Sequence, residues 1–232
     1  VEVIVLYDDL PSSIKGCIRG FGLSLFVQGG GFRILFDAGS SPDVLLNNAR
    51  VAGVDLKSLD AVVVSHAHLD HTGGLRGLPA RNVPVYVPYG QHRGLVSWLH
   101  SIGFENVVVV RDLQEVGGGA YVMAYPESTI SEQSLLLESP GGLTMLVGCG
   151  HPGVHYMVGK AASRGFKVER VVGGLHLSDQ PEYKVRGVVM ELERLGVREL
   201  IPLHCSGGAT LEYGRLLGLV REEPALCKTY SI

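Results

Sequence analysis

The sequence carries little excess charge of either sign. Its 20 lysines and arginines stand against 23 aspartates and glutamates in 232 residues, a formal net charge of −3, and no basic run appears. A dedicated nucleic-acid binder needs such a run, so nucleic acid is not an expected partner. Long apolar stretches are also missing. Apolar runs such as 61–64 and 107–110 are strand-sized, whereas a membrane span needs ~20 residues, so no membrane partner is expected. Cysteines are few, at 17, 149, 205 and 227, and none forms a CxxC pair. The chain is too long for a disulfide-dependent miniprotein, Cys17 and Cys227 carry no signal, and a reducing cytoplasm is the expected setting. The first residues, VEVIVLYDDL, hold acidic side chains and no positive segment, so no signal peptide is expected.

With 46% apolar and 19% charged residues, the composition is that of a globular chain able to bury a sizeable core, and disorder is excluded. Glycine is frequent at 32 residues and clusters at 29–31, 73–74, 117–119, 173–174 and 207–208, which points to tight turns and close backbone approach. Strands are predicted at 1–6, 23–27 and 32–36, the last two flanking a hairpin turn at Gln28-Gly29-Gly30-Gly31. A helix is predicted from Pro42 to Ala49, with Gly53 near its end. Further strands are expected at 61–64, 83–87, 107–110, 120–124, 133–138, 143–147, 168–172 and 199–203, and helices at 91–102, 153–162, 182–195 and 210–219. This is a mixed α/β domain whose large sheets are covered by helices. No linker and no fixed-period repeat divides it, and residues 1–232 are read as one domain.

Four apolar strands lead into a histidine. They are 61–64 before Ser65 and His66, 143–147 before Gly148-Cys149-Gly150-His151, 171–175 before His176, and 200–203 before His204. Sites of layered α/β folds lie at strand ends, so these histidines are expected to converge on one edge.

The densest signal is Ser65-His66-Ala67-His68-Leu69-Asp70-His71-Thr72-Gly73-Gly74. Its bland reading is a polar loop of exposed histidines; its chemical reading is a two-metal site. Neutral imidazole and carboxylate are ligands that zinc, iron and manganese accept. His66 and His68 form an i, i+2 pair and can chelate one ion from one side of an extended chain. Asp70 and His71 follow a bend and can face a second ion. His151 would complete the first set, and His204 the second.

The segment SHAHLDHTGG resembles the signature of the metallo-β-lactamase superfamily. Ile34-Leu35-Phe36-Asp37-Ala38-Gly39 and Gly150-His151-Pro152-Gly153 are similar to that family's early aspartate motif and its third motif. The resemblance implies an α/β fold, an αββα four-layer sandwich with mixed β-sheets. It also implies a dinuclear site, with His66, His68 and His151 on one ion and Asp70, His71 and His204 on the other. Asp37 is then expected to orient a ligand from behind.

The family's fourth motif usually supplies a bridging aspartate. The corresponding segment here is Gly173-Gly174-Leu175-His176-Leu177, so His176 is expected either to bind one metal or to hydrogen-bond the bridging solvent, with Asp179 the other candidate. One anionic ligand against two divalent ions makes the site electropositive. It should favour a small anionic substrate and hold its second ion less firmly.

The combination of GGLHL and HCSG is similar to a small stand-alone branch related to β-ribofuranosylaminobenzene 5′-phosphate synthase. That enzyme class joins phosphoribosyl pyrophosphate to 4-aminobenzoate with release of carbon dioxide and pyrophosphate. Cys149 and Cys205 read as buried thiols packed under the ligands or as thiols near enough to tune or bind metal. Ser206, Gly207, Gly208 and Thr210 read as a helix start or a phosphate cradle. Asp8 and Asp9, after the first strand, read as solvated turn residues or as groups that reach the site edge.

The expected function is a dinuclear metal-dependent hydrolase acting on a small phosphate or other anionic ester through a metal-activated water, with Asp70 and His176 as catalytic residues. The alternatives are the synthase-like transferase and a non-enzymatic metal- or ligand-binding sensor. Zinc is the expected ion, with manganese and iron open.

Overall fold

Most strands of this chain are apolar at successive positions, the pattern of strands covered on both faces. The computed structural model describes residues 1–90, 92–140 and 142–232. Its elements, in order, are β1 (Glu2–Tyr7), β2 (Ser24–Gly29), β3 (Phe32–Phe36), α1 (Pro42–Val51), β4 (Ala61–Val63), α2 (Leu69–Thr72), β5 (Val85–Pro88), α3 (His92–Ser101) and β6 (Val107–Val110). Then follow β7 (Leu113–Gly117), β8 (Ala120–Tyr125), β9 (Glu132–Ser139), β10 (Gly142–Val147), α4 (Val154–Ser163), β11 (Val168–Gly174), α5 (Glu182–Arg194), β12 (Glu199–Leu203), α6 (Gly208–Leu216) and β13 (Thr229–Ser231).

The strands form two mixed sheets. The first has the order β13-β1-β2-β3-β4-β5-β6 and the second β12-β11-β10-β9-β8-β7. In β1, Val3 and Val5 join the core between the sheets, while Ile4 and Leu6 join the core under α1 and α3. The second sheet repeats the arrangement. Leu135, Leu137, Leu146, Val172 and Ile201 face inward, and Leu136, Met145 and Val171 pack with Met157 of α4 and Val185 and Leu192 of α5. The result is four layers, helix–sheet–sheet–helix, as expected from the sequence.

Topology places the site. β3, β4 and β5 run parallel in the first sheet, and β10, β11 and β12 in the second. Parallel neighbours deliver their C-terminal ends to the same side of a sheet, and those ends carry the histidine segments.

The expected elements are present, with ends moved by up to three residues. Gln91, expected to open the helix now seen at α3, lies outside the described residues. The hairpin turn is Gly30-Gly31, both at positive φ (59° and 84°), which is the two-residue form that fits the twist of flanking strands. Three elements are additional to those expected. β7 is a largely exposed edge strand, and α2 and β13 have only four and three residues, too few to show a period.

Cys17 and Cys227, which carry no signal in the sequence, are joined by a disulfide across 210 residues. Their pairing depends on a tertiary contact: Ser13 N–H donates to the Leu226 carbonyl and Leu226 N–H to the Pro11 carbonyl, tying the loop after β1 to the segment before β13. Opening the bridge by Cys227→Ser is expected to lower stability by about 2–5 kcal/mol, read as an earlier denaturant midpoint. Thiol counting on the unreduced, unfolded protein should find Cys149 and Cys205 alone.

Candidate metal centre

The loop after β4 begins with Ser65 and His66, both buried, and turns at His68 into the single turn of α2. His68 sits at the N-terminal boundary of that turn in extended conformation, so its ring points back toward His66 while Asp70 and His71 lie on the turn itself. The turn closes on Gly73-Gly74 because backbone passes there: a Cβ on Gly74 would lie 2.0 Å from the Ala38 carbonyl.

One set of donors is His66, His68 and His151, and another is Asp70, His71 and His204; within each set the ligand atoms all lie within 4.8 Å of one another. His66 Nε2 is 3.0 Å from His68 Nδ1 and 3.3 Å from His151 Nε2. Asp70 Oδ2 is 3.2 Å from His204 Nε2 and 3.4 Å from His71 Nε2. Donor atoms 2.0–2.1 Å from a tetrahedral zinc ion are about 3.3 Å apart. Both the donor chemistry and the spacing therefore fit divalent ions.

Hydrogen bonds behind the rings set their tautomers. Asp37 is buried at the end of β3 with φ 58°. It accepts the Ser65 N–H on Oδ1 (2.7 Å), and the Ser65 hydroxyl (2.6 Å) and His71 Nδ1–H (2.7 Å) on Oδ2. With its hydroxyl proton given to Asp37, Ser65 Oγ is left to accept from His66 Nδ1, 2.9 Å away. Both rings then turn Nε2 toward the cluster; at His66 it has a free lone pair, and at His71 it carries a proton that an entering metal ion would displace.

The electrostatics agree. Burial, and then the neighbouring histidines, hold His66 well below its usual pKa and therefore neutral. Burial and the adjacent His176 and His68 bring His151 down to about 4. At Asp70 burial opposes ionisation, but hydrogen bonds from His204 and His71 outweigh it and keep the carboxyl far below the usual carboxylate range. Burial likewise opposes a charge on His71, yet Asp37 and Asp70 overcome it and push that ring up to about 10. The pocket around His71 is built for positive charge.

Two further carboxylates hold the ligand loops, and neither was singled out in the sequence for this role. Glu132 opens β9 fully buried; Oε1 accepts the N–H groups of Cys149 (3.0 Å) and Gly150 (2.9 Å), and Oε2 that of His151 (2.8 Å). Burial raises its pKa while those three N–H groups work against the rise. The available signal was a polar Glu132-Gln133-Ser134 run opening an otherwise apolar strand.

Of the two readings of Asp8, the structure shows the site-edge one, with the residue buried. Its Oδ2 accepts the His204 N–H at 2.9 Å and its Oδ1 the Leu10 N–H at 2.9 Å. Burial pushes it up to about 7, with the adjacent Asp9 adding to the rise.

The remaining candidates separate. His176 is exposed, with φ 53° and its ring centroid 4.6 Å from that of His151; its pKa is raised, chiefly by the Cys205 thiol. Cys149 is buried, with Sγ 3.2 Å from His71 Nε2. Cys205 accepts the His176 N–H at 3.3 Å. The Ser206 and Thr210 hydroxyls donate inward, to the Leu203 and Ser206 carbonyls, and so serve the start of α6. Beside His68 lies a cleft of about 340 Å³ lined by Ala67, Leu69, Thr72, Arg76, Leu95 and Trp98. The Arg76 guanidinium stands 5.6 Å from the Trp98 ring centroid and forms no ion pair among the described residues.

A family model of the metallo-beta-lactamase superfamily matches residues 17–215. The 7,8-dihydropterin-6-methyl-4-(beta-D-ribofuranosyl)-aminobenzene-5'-phosphate synthase of Methanocaldococcus jannaschii is 27% identical to this chain, covering 82% of it and 81% of the synthase. Among solved structures, Tm1679, a metal-dependent hydrolase of the beta-lactamase superfamily, superposes with a TM-score of 0.84 at 24% identity over 100% of this chain and 98% of that one. The short form of human tRNase Z superposes with a TM-score of 0.66 at 15% identity, over 100% and 99% of the two chains. These structural likenesses show the fold, and it is the one the sequence implied. No helix among the described residues is long and apolar enough to cross a membrane.

Two predictions test the supports of the site. Glu132→Gln turns an amide N–H₂ against a backbone donor and is expected to cost about 2–4 kcal/mol in denaturant unfolding. For Asp8 the folded pKa of about 7 exceeds the ordinary 3.8, so its contribution to stability is full below pH 3.8 and lost as pH rises through 7. Melting of the chelator-treated protein from pH 4 to 8 should therefore fall with pH more steeply in the wild type than in Asp8→Asn.

Proposed function

Because the chain belongs to the metallo-β-lactamase superfamily, we propose that it is a dinuclear metal-dependent hydrolase of a small anionic ester. The observation that carries this reading is the meeting of two donor sets at one sheet edge, with the exposed ring of His176 beside them. In this reading His66, His68 and His151 hold one divalent ion, and Asp70, His71 and His204 hold the other. Zinc is the expected occupant, and manganese and iron share the donor chemistry. Such ions, when bound, lower the pKa of a coordinated water and polarise an ester's electrophilic centre.

The chain's own residues do the rest. Asp70 remains ionised and has Oδ2 between His71 and His204; it orients the attacking water as well as binding metal. His176 lies on the solvent side of His151. Its exposed ring is placed to hydrogen-bond solvent at the centre or an anionic oxygen of the substrate, and in its protonated form it would return a proton to the leaving group. Asp37 and Ser65 keep the proton on Nδ1 of His71 and His66. Arg76, at the cleft beside His68, supplies a fixed positive charge for the substrate's anionic group.

The likeness to the M. jannaschii synthase favours a second reading, a transferase in which pyrophosphate leaves phosphoribosyl pyrophosphate and no water attacks. One assay separates the two: pyrophosphate release from phosphoribosyl pyrophosphate, with and without 4-aminobenzoate, on protein reconstituted with zinc or with manganese. Release that requires 4-aminobenzoate establishes the transferase and overturns the hydrolase. Release without it supports the hydrolase. Absence of release, combined with turnover in a panel of phosphate and carboxylate esters, also supports the hydrolase and removes this donor from its substrates. In each case Asp70→Ala is expected to abolish turnover and to reduce bound metal by one equivalent; an active Asp70→Ala protein would overturn the mechanism.

A further inference from the structure

Cys149 has a position that no other side chain at the site shares. Its Sγ groups with His66 and His71, with His151 and His176, and with His204 and Cys205, the ligand atoms of each group lying within 4.8 Å of one another. The first donor set contributes His66 and His151 to these groups, and the second contributes His71 and His204. The thiol therefore lies between the two sets and reaches both. It is 3.2 Å from His71 Nε2, the nitrogen turned toward the cluster once His71 Nδ1 donates to Asp37. A nitrogen and a thiolate sulfur on one tetrahedral zinc ion, at 2.0–2.1 and 2.3 Å, are about 3.5 Å apart.

Backbone holds this sulfur in place. The Cys149 N–H is fixed by Glu132 Oε1 at 3.0 Å, and Gly150 and His151 are fixed by the same carboxylate. The residue is 4% exposed, too enclosed to be a substrate contact. Charge points the same way. Within the two donor sets the single anionic side chain is Asp70, while two divalent ions bring four positive charges.

We propose that Cys149 is a seventh ligand, a thiolate shared between the two metal ions. The thiol releases its proton to solvent as the ions enter, and the sulfur forms a bond to each. This inference rests on the proposed occupancy of the two donor sets. It adds a second anionic ligand to the centre and reduces the electropositive character expected from a site with one carboxylate.

Cobalt(II) substitution tests it without an activity assay. The chelator-treated protein is titrated with cobalt(II), and bound metal, visible ligand-field bands and the near-ultraviolet thiolate-to-cobalt charge-transfer band are followed together. The wild type and Cys205→Ser are expected to show the charge-transfer band. Cys149→Ser should lose it and bind the second ion about tenfold or more weakly. Cys149→Asp should lose the band yet recover two-metal stoichiometry, a rescue that a purely structural thiol would not permit.

Ligand-field bands without a charge-transfer band in the wild type would overturn the thiolate ligand and leave the metal centre standing. Failure to bind cobalt at all would overturn both. A band lost in Cys205→Ser but kept in Cys149→Ser would overturn the assignment in favour of the other thiol. Should Cys149→Ser fail to fold, Cys205→Ser decides: with Cys17 and Cys227 bonded to each other, a band kept there belongs to Cys149, and a band lost there refutes it.

Discussion

The histidine cluster depends on a buried carboxylate whose charge is shared among donors from two loops. Asp37 receives the Ser65 N–H, the Ser65 hydroxyl and His71 Nδ1–H, and is itself fully enclosed. An uncompensated carboxylate there would cost several kcal/mol, so the loop after β4 and the turn of α2 have strong reason to adopt the one arrangement that satisfies it. That arrangement also selects the tautomers that aim His66 and His71 at the cluster. A single residue thus links the end of β3, the loop after β4 and the electronic state of two rings.

The same device recurs at the other strand ends. Glu132 grips the N–H groups of 149–151 and Asp8 that of His204. Each of the three histidine-bearing loops that deliver the inner donors is anchored by its own buried carboxylate. Of the four non-glycine residues at positive φ among the described residues, three lie at the site, Asp37, His176 and His204 (58°, 53° and 49°), and the fourth is the disulfide-bonded Cys227 (57°); the region costs such residues of order 1–3 kcal/mol each.

The sheets and helices were legible because nearly every strand is buried on both faces. An unbroken apolar run then gives its position and length directly, as at 61–64 and 143–147. The inner donors were legible for a related reason: four such runs lead into histidine, and HxHxDH has no easy structural explanation. Glu132 and Asp8 were less legible because their partners are backbone N–H groups supplied by distant segments, and backbone donors leave no mark on a sequence. Asp8 beside Asp9 has the composition of a solvated turn, and only the return of β12 past the end of β1 makes it a buried acceptor. The Cys17–Cys227 bond was hidden in the same way, since its 210-residue span closes through the pairing of the chain's two ends. β7 was missed because its outward residues are exposed and no alternation survives.

The distribution of charge bears on chemistry more than any single ligand does. Asp70 alone among the donor sets is anionic, whereas Asp37 and Glu132 stand one hydrogen bond behind, acting through His71 and through the backbone of 149–151. Negative charge held at that remove makes an imidazole a better donor without neutralising what it binds. On the outer side the balance reverses: His176 has its pKa raised and is exposed, and Arg76 lines the cleft by His68. In the proposed hydrolase these two cationic groups would meet the anionic part of a substrate, and they would do so equally for an ester and for a pyrophosphate.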